Sequence, residues 1–292
     1  MFTLNVALSN TTRLILSEYG YPVNLTCMHM LICYLACRWY RLSVLPSSIK
    51  VDGLSVLPLS ISFSLSIAFG NASLRFIYPS FAHMLGTATP LVVLLLQVTL
   101  YRSRFNTFTY LSVPIICIGL LLCSVAESNF SATGLFFSLA ATVLRALKTI
   151  QQRNLLVQKI PSVQLLEEMA WQSCIILIPI GLAFEGMDPI NAIVSSSSHF
   201  LALIALNCLN ACTLNLVNLS VASITTPVTL QILGNIKSAV SVFASAVFLG
   251  NVVSTGQAVG CCLVGLGTAL YQWKGGEKKF KTISRESIKQ QT

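Results

Sequence analysis

The sequence predicts an all-α integral membrane protein with about ten transmembrane helices in two halves, and composition is the first reason. Of the 292 residues, 54% are hydrophobic and 9% are charged, whereas roughly a quarter of the residues of a soluble protein are charged. A chain with so little charge cannot cover a surface that faces water, so we expect lipid to surround it. A spanning helix needs about 20 apolar residues, and about ten such helices use nearly the whole length.

Long apolar runs are the second reason, and each of them predicts one spanning helix. The runs cover residues 23–40, 54–74, 77–101, 105–125, 131–150, 168–184, 199–220, 224–249 and 254–273. A shorter stretch at 4–16 carries several polar side chains and predicts a short or truncated first helix. Residues 274–292 are rich in lysine and arginine and predict a basic tail.

Basic residues are concentrated on alternate loops, which predicts the orientation of the helices. They follow the second, fourth, sixth and tenth segments, as Arg41, Arg102 and Arg153 illustrate. Because lysine and arginine stay on the cytosolic side of a membrane, we expect these loops and both termini to be cytosolic. This distribution accounts for the net charge of +9, which therefore does not indicate a nucleic-acid partner.

Two short stretches resemble each other and predict an internal repeat. Residues 78–86 and 226–234 both have proline at the second position and Leu-Gly at the end. They open the fourth and ninth helices, so five crossings separate them and the second copy is inverted relative to the first. Inverted repeats build carriers with a substrate site near the midplane. We therefore expect one five-helix half at 1–127 and a second at 128–273.

Lys237 is the principal candidate for a functional residue, because it lies near the middle of the ninth apolar segment. A lysine at the bilayer centre costs about 2.5–3.5 kcal/mol, and no carboxylate lies within a predicted helix core to neutralise it. Glu167 and Glu168 come closest, at the start of the seventh segment. Either a substrate anion or helix-end carbonyl groups would stabilise this cation. The neighbouring Asn235 is compatible with a helix that opens toward a cavity.

Three further side chains are candidates for the same site. Arg145 and Lys148 are one turn apart on the sixth helix and therefore share a face. They could contact substrate, or they could extend toward the lipid headgroups. His83 lies on the fourth segment, where a packed or hydrogen-bonded histidine is the commoner role.

Several classes of function receive no support from the sequence. The chain has no phosphate-binding glycine loop, no metal-binding cluster and no pairing of a nucleophile with a base, so we expect neither a cofactor nor an enzyme. The ten cysteines show no disulfide framework or zinc spacing. The expected partners are a phosphorylated small molecule, membrane lipid and, in a homodimer, a second copy of the chain.

Polar residues between the apolar runs resemble those of a known family. The stretches that carry the resemblance are 144–152 (LRALKTIQQ), 233–237 (LGNIK), 70–75 (GNASLR) and 21–30, which contains Tyr-Pro and Met-His-Met. They are similar to the triose-phosphate translocator and nucleotide-sugar transporter branch of the drug/metabolite transporter superfamily. Within solute carrier family 35 the chain most resembles the E subfamily.

This resemblance implies ten helices in two inverted halves that exchange phosphorylated metabolites or nucleotide sugars across an internal membrane. Lys237 matches a lysine that contacts the substrate phosphate in the family. The following residue is commonly arginine or threonine and is Ser238 here, and a lysine is frequent where this chain has Gly86.

The sequence therefore predicts an antiporter of a phosphorylated organic anion, such as a sugar phosphate or nucleotide sugar, in the Golgi or another endomembrane. Lys237 would bind the anion together with Arg145 or Lys148, and with Asn235, Ser238 and His83 nearby. The alternative is a non-transporting membrane scaffold or regulator derived from a carrier, which the reduced set of basic residues and the short first helix would suit.

Overall fold

The regular elements of the described chain are α-helices. The structure, a computed structural model, describes residues 2–44, 51–77, 85–86, 88–124, 131–234 and 255–274. Its helices are α1 (Phe2–Tyr19), α2 (Pro22–Val44), α3 (Gly53–Ser73), α4 (Thr89–Thr99), α5 (Thr107–Ser124), α6 (Ala132–Val157), α7 (Ser162–Glu185), α8 (Asp188–Val194), α9 (Ser198–Ile224) and α10 (Thr255–Lys274). Residues 227–234 are helical as well.

Four of these helices, α3, α6, α7 and α9, are long and apolar enough to cross a membrane. Two shorter apolar helices accompany them, α4 and the part of α5 from Thr107 to Gly119. Segments in lipid form helices because their backbone N–H and C=O groups must be hydrogen-bonded within the segment, and their lengths follow from the thickness of the hydrocarbon layer. The prediction of an all-helical membrane protein is confirmed at this level.

Helix boundaries differ from the predicted ones where charged residues extend a helix. Helix α6 ends at Val157 rather than at 150, and α7 begins at Ser162 rather than at 168. The added turns contain Arg153, which donates a hydrogen bond to the carbonyl oxygen of Ser223, and Glu167, which is paired with arginine. Hydropathy alone ended the predicted segments near these charged residues, whereas the folded chain provides partners for them and the helices continue.

Three other segments also depart from the prediction. Helix α1 has 18 residues and is longer than the predicted stretch 4–16. The run 77–101 does not form one continuous helix, because Ala88 lies in a turn and α4 begins at Thr89. Helix α8 lies in a predicted loop, where proline in its first turn could have indicated a helix start.

The chain divides into two compact units, each built from two stretches of sequence. Unit 1 contains residues 1–71 and 151–224, and unit 2 contains 72–150 and 225–292. Each unit therefore combines a stretch from the first part of the chain with one from the second.

In unit 1, the antiparallel helices α2 and α7 are connected at both ends by carboxylates of α7. Glu167 accepts two hydrogen bonds from Arg41, from Nε at 2.6 Å and from Nη2 at 2.8 Å. At the other end, Glu185 accepts hydrogen bonds from the backbone N–H groups of Val23 at 2.7 Å and Asn24 at 2.9 Å. Glu185 thus satisfies N–H groups at the start of α2 that have no partner within the helix.

A second polar cluster in unit 1 joins α1, α2 and α9. The Asn207 amide nitrogen donates to the hydroxyls of Thr11 at 2.6 Å and Thr12 at 3.1 Å. Its amide oxygen, 2.6 Å from Nε2 of His29, is therefore the acceptor, and Nε2 of His29 carries a proton. Such interhelical hydrogen bonds hold helices together where lipid provides no hydrophobic driving force.

In unit 2, α5 and α10 approach closely through glycines. A Cβ atom on Gly119 would lie 2.8 Å from the carbonyl oxygen of Gly260 and 2.8 Å from the backbone nitrogen of Val264. A Cβ on Gly267 would lie 3.1 Å from the backbone nitrogen of Ile116. The absence of side chains at these positions lets the two backbones pack directly, as small residues do in membrane helices.

We expect Glu167→Gln to destabilise the protein because it removes the negative charge that accepts two hydrogen bonds from Arg41. The expected cost is about 2 kcal/mol, below the ~3–5 kcal/mol for a fully buried pair, because the Arg41 side chain is 25% exposed and that of Glu167 is 4% exposed. Thermal unfolding of the purified protein in detergent measures the effect. The control is Glu168→Gln, whose carboxylate contacts the exposed Trp171, and an equal loss of stability in both variants would contradict the assignment.

Gly119→Ala should also lower the thermal stability, because the new methyl group meets backbone atoms that cannot rotate away. Overpacking of this kind costs about 1–3 kcal/mol. Gly265→Ala is the matched control on α10, since nothing lies within 4 Å of its Cβ position and alanine favours a helix by about 1 kcal/mol. If the two variants melted at the same temperature, the close contact of α5 with α10 would be wrong.

Candidate functional site: basic residues of unit 2

Two of the predicted site residues, Arg145 and Lys148, belong to α6 and can be described. The other four, His83, Asn235, Lys237 and Ser238, lie outside the described residues, and their roles stay predictions. The structure also brings forward Thr149 and Gln231, which the sequence did not single out, and Gly86, which the sequence marked only as a position where the family frequently has lysine.

Arg145 lies at the middle of α6 rather than near one of its ends. It comes thirteen residues after Ala132 and twelve before Val157, which places it about 18 Å along the helix axis from the nearer end. The predicted segment ended at 150 and would have put the guanidinium much closer to the lipid headgroups. Arg145 is therefore twelve residues from the nearer end of α6 rather than five.

Lys148 follows one turn later and shares a face of α6 with Arg145. Both side chains are half-buried. Two cations that lie this close raise each other's cost of burial, because like charges repel in a medium of low dielectric constant. An anion that binds near both of them would remove this cost.

Unit 2 is poor in carboxylates. Its first stretch, residues 72–150, contains a single acidic residue, Glu127, and its second stretch has none before Glu277. Both of these lie outside the described residues. Among the described residues, Arg145 has no carboxylate within ion-pair distance. The described part of unit 2 therefore carries basic residues without acidic ones.

Glu167, one of the two carboxylates that the sequence analysis named as coming closest to the predicted position of Lys237, is bound by arginines. Its carboxylate is held by Arg41 and lies 3.5 Å from Nη1 of Arg38. All three residues belong to unit 1. The carboxylate therefore serves as the partner of two arginines there.

The guanidinium of Arg145 lies beside Gly86. A Cβ atom on Gly86 would be 3.0 Å from Nη1 of Arg145. Gly86 comes just before the turn at Ala88, and its carbonyl oxygen accepts a hydrogen bond from the Thr89 hydroxyl in the first turn of α4. The basic group thus lies where a helix begins inside a predicted membrane segment.

Hydrogen bonds connect helical residues 227–234 to α6 at the level of Arg145. Gln231 donates from Nε2 to the Thr149 hydroxyl at 2.6 Å, and that hydroxyl donates to the backbone carbonyl of Arg145 at 2.9 Å. Thr229 forms a 2.6 Å hydrogen bond with the Tyr271 hydroxyl of α10. The stretch that precedes Lys237 in sequence is therefore fixed to both α6 and α10.

The described residues contain no cluster of histidine, cysteine, aspartate and glutamate side chains that could hold a metal ion. These basic residues are suited to bind an anion. Arginine is well suited to phosphate, because its planar guanidinium donates paired hydrogen bonds to two oxygens.

Comparison with known proteins agrees with a helical membrane protein of the transporter class. The profile of the Triose-phosphate Transporter family matches residues 1–272. The chain belongs to this family. The family consists of transporters, which is the class that the sequence predicted.

Individual relatives cover most of the chain. A probable sugar phosphate/phosphate translocator of Arabidopsis thaliana is 31% identical over 92% of this chain and 91% of its own length. Human solute carrier family 35 member E4 is 31% identical over 87% of this chain and 71% of its own length. The resemblance to the E subfamily is thus confirmed.

A solved crystal structure of another protein has the same fold. Its TM-score is 0.70 at 17% sequence identity, over 92% of this chain and 94% of that one.

Proposed function

We propose that this protein is a secondary transporter that exchanges a phosphorylated organic anion, such as a sugar phosphate or a nucleotide sugar, across the Golgi or another endomembrane. The observation that carries the proposal is the position of Arg145 at the middle of α6, in a unit whose described residues include no carboxylate. A buried cation needs an opposite charge or water, and a phosphorylated substrate supplies the charge.

The proposed site combines Arg145 and Lys148 with Lys237. Gln231, six residues before Lys237, is bonded to Thr149, four residues after Arg145, and this contact supports joint action of the two stretches. Asn235, Ser238 and His83 would contribute neutral or weakly basic contacts. A phosphate held by arginine and lysine would be bound by charge-assisted hydrogen bonds, which are stronger than neutral ones.

The proposed architecture is that of two inverted five-helix halves, 1–127 and 128–273, followed by the basic tail 274–292 and with both termini cytosolic. Exchange would then proceed by alternating access to a site near the midplane. The composition of unit 1 supports halves that fold together, because it takes residues 1–71 from the first half and 151–224 from the second. The relative named as a sugar phosphate/phosphate translocator supports the phosphorylated substrate.

We expect Arg145→Ala to lower the exchange of phosphorylated substrates about 10- to 100-fold, the value of one or two charge-assisted hydrogen bonds. The measurement is counter-flow in proteoliposomes over a panel of sugar phosphates, nucleotide sugars and neutral sugars. Lys237→Ala should show a similar loss. The matched control is Arg104→Ala, because Arg104 is an exposed arginine in a loop and its removal should leave exchange unchanged.

The outcome that would contradict the proposal is saturable uptake of neutral solutes alone, or normal exchange by a well-expressed Arg145→Ala protein. The scaffold alternative is tested with the same preparation. A thermal shift with sugar phosphates or nucleotide sugars counts against it, whereas no binding of any member of the panel would favour it.

A further inference from the structure

Gly86 is a glycine whose backbone does not require glycine. The positive φ angles among the described glycines are at Gly20 and Gly186, so Gly86 has a backbone conformation that other residues adopt readily. Residues 85–86 are helical, and alanine is favoured over glycine in a helix by about 1 kcal/mol. The absence of a side chain at this position therefore calls for a reason other than backbone geometry.

The space next to Gly86 provides that reason. The nearest described atom to an ideal Cβ on Gly86 is Nη1 of Arg145, at 3.0 Å. So short a contact to a Cβ is rare, and a methyl group there would push its neighbour away by a few tenths of an ångström. The guanidinium thus lies in the space that any side chain at residue 86 would enter.

The atom that a Cβ on Gly86 would meet is of a different kind from the atoms that a Cβ on Gly119 would meet. A methyl on Gly119 meets backbone atoms of α10, which cannot move without separating two helices. At Gly86 the neighbour is the far end of a long, flexible side chain, which can rotate away. A small side chain at residue 86 would therefore move the guanidinium and leave the fold intact.

We propose that Gly86 is a positioning residue for the anion site: the space it leaves fixes where the guanidinium of Arg145 lies. This inference rests on the proposed function, in which Arg145 contacts the phosphate of the substrate. Paired hydrogen bonds to phosphate depend on the direction of the guanidinium plane, so a small displacement weakens binding without removing the charge. The size of residue 86 then determines how tightly phosphorylated substrates bind.

The experiment compares Gly86→Ala and Gly86→Leu with wild-type protein in the counter-flow assay, over a range of sugar-phosphate concentrations. We expect KM to rise about 3- to 10-fold for alanine and more for leucine, while kcat for alanine changes less than twofold and its melting temperature does not fall. Gly265→Ala is the control, because nothing lies within 4 Å of its Cβ position and neither constant should change.

The same substitution in an Arg145→Lys variant shows whether Gly86 acts through Arg145. Arg145→Lys keeps the positive charge and removes the Nη1 atom that a methyl at residue 86 would displace. Adding Gly86→Ala to Arg145→Lys should therefore raise KM by less than twofold. An equal effect of Gly86→Ala in both backgrounds would overturn the inference, because Gly86 would then act through helix packing.

The remaining outcomes separate this inference from the proposed function. If Arg145→Ala loses exchange and Gly86→Ala has a normal KM, the positioning role is wrong and the proposed function stands. If Arg145→Ala retains normal exchange, both the proposed anion site and the proposed role of Gly86 are wrong.

Discussion

The cost of placing a charge in hydrocarbon governs where this chain can keep its few ionisable groups. In unit 1 the cost is met internally, since the buried carboxylate of Glu167 has arginines on α2 as partners. In unit 2 the described helices carry Arg145 and Lys148 and hold no carboxylate. The cost of an unpaired charge thus accounts for the ion pair between α2 and α7 in unit 1. Under the proposed function, it also accounts for the binding of a substrate anion in unit 2.

Apolar length was sufficient to predict most helices, because a segment in lipid must satisfy its own backbone hydrogen bonds. The prediction of 54–74 corresponds to the helix Gly53–Ser73, and that of 254–273 to Thr255–Lys274. It failed at 150 and 168, where charged residues continue a helix because partners distant in sequence satisfy them. Hydropathy contains no information about those partners.

The candidate site was predictable in its residue types and not in its geometry. Arg145 and Lys148 stand out in an apolar segment, but their distance from the end of α6 depended on where that helix ends. The contact of Gly86 with Arg145 joins residues far apart in sequence and arises from side-chain packing. Members of the resembled family frequently have a lysine where this chain has Gly86, and the structure shows a basic group beside Gly86 that α6 supplies.

The carboxylates of Glu167 and Glu185 also fix the length over which α7 is bonded to α2. Eighteen residues separate Glu167 from Glu185, which corresponds to roughly 27 Å along a helix, and tilt would shorten the distance measured across the bilayer. Early secretory membranes have a hydrocarbon layer of about 27 Å, whereas that of the plasma membrane is about 32–33 Å. Since both carboxylates are fixed to α2, this helix pair cannot lengthen to suit a thicker bilayer. In a thicker bilayer the pair would have to tilt less or thin the surrounding lipid, at a cost of about a fraction of a kcal/mol per ångström of mismatch.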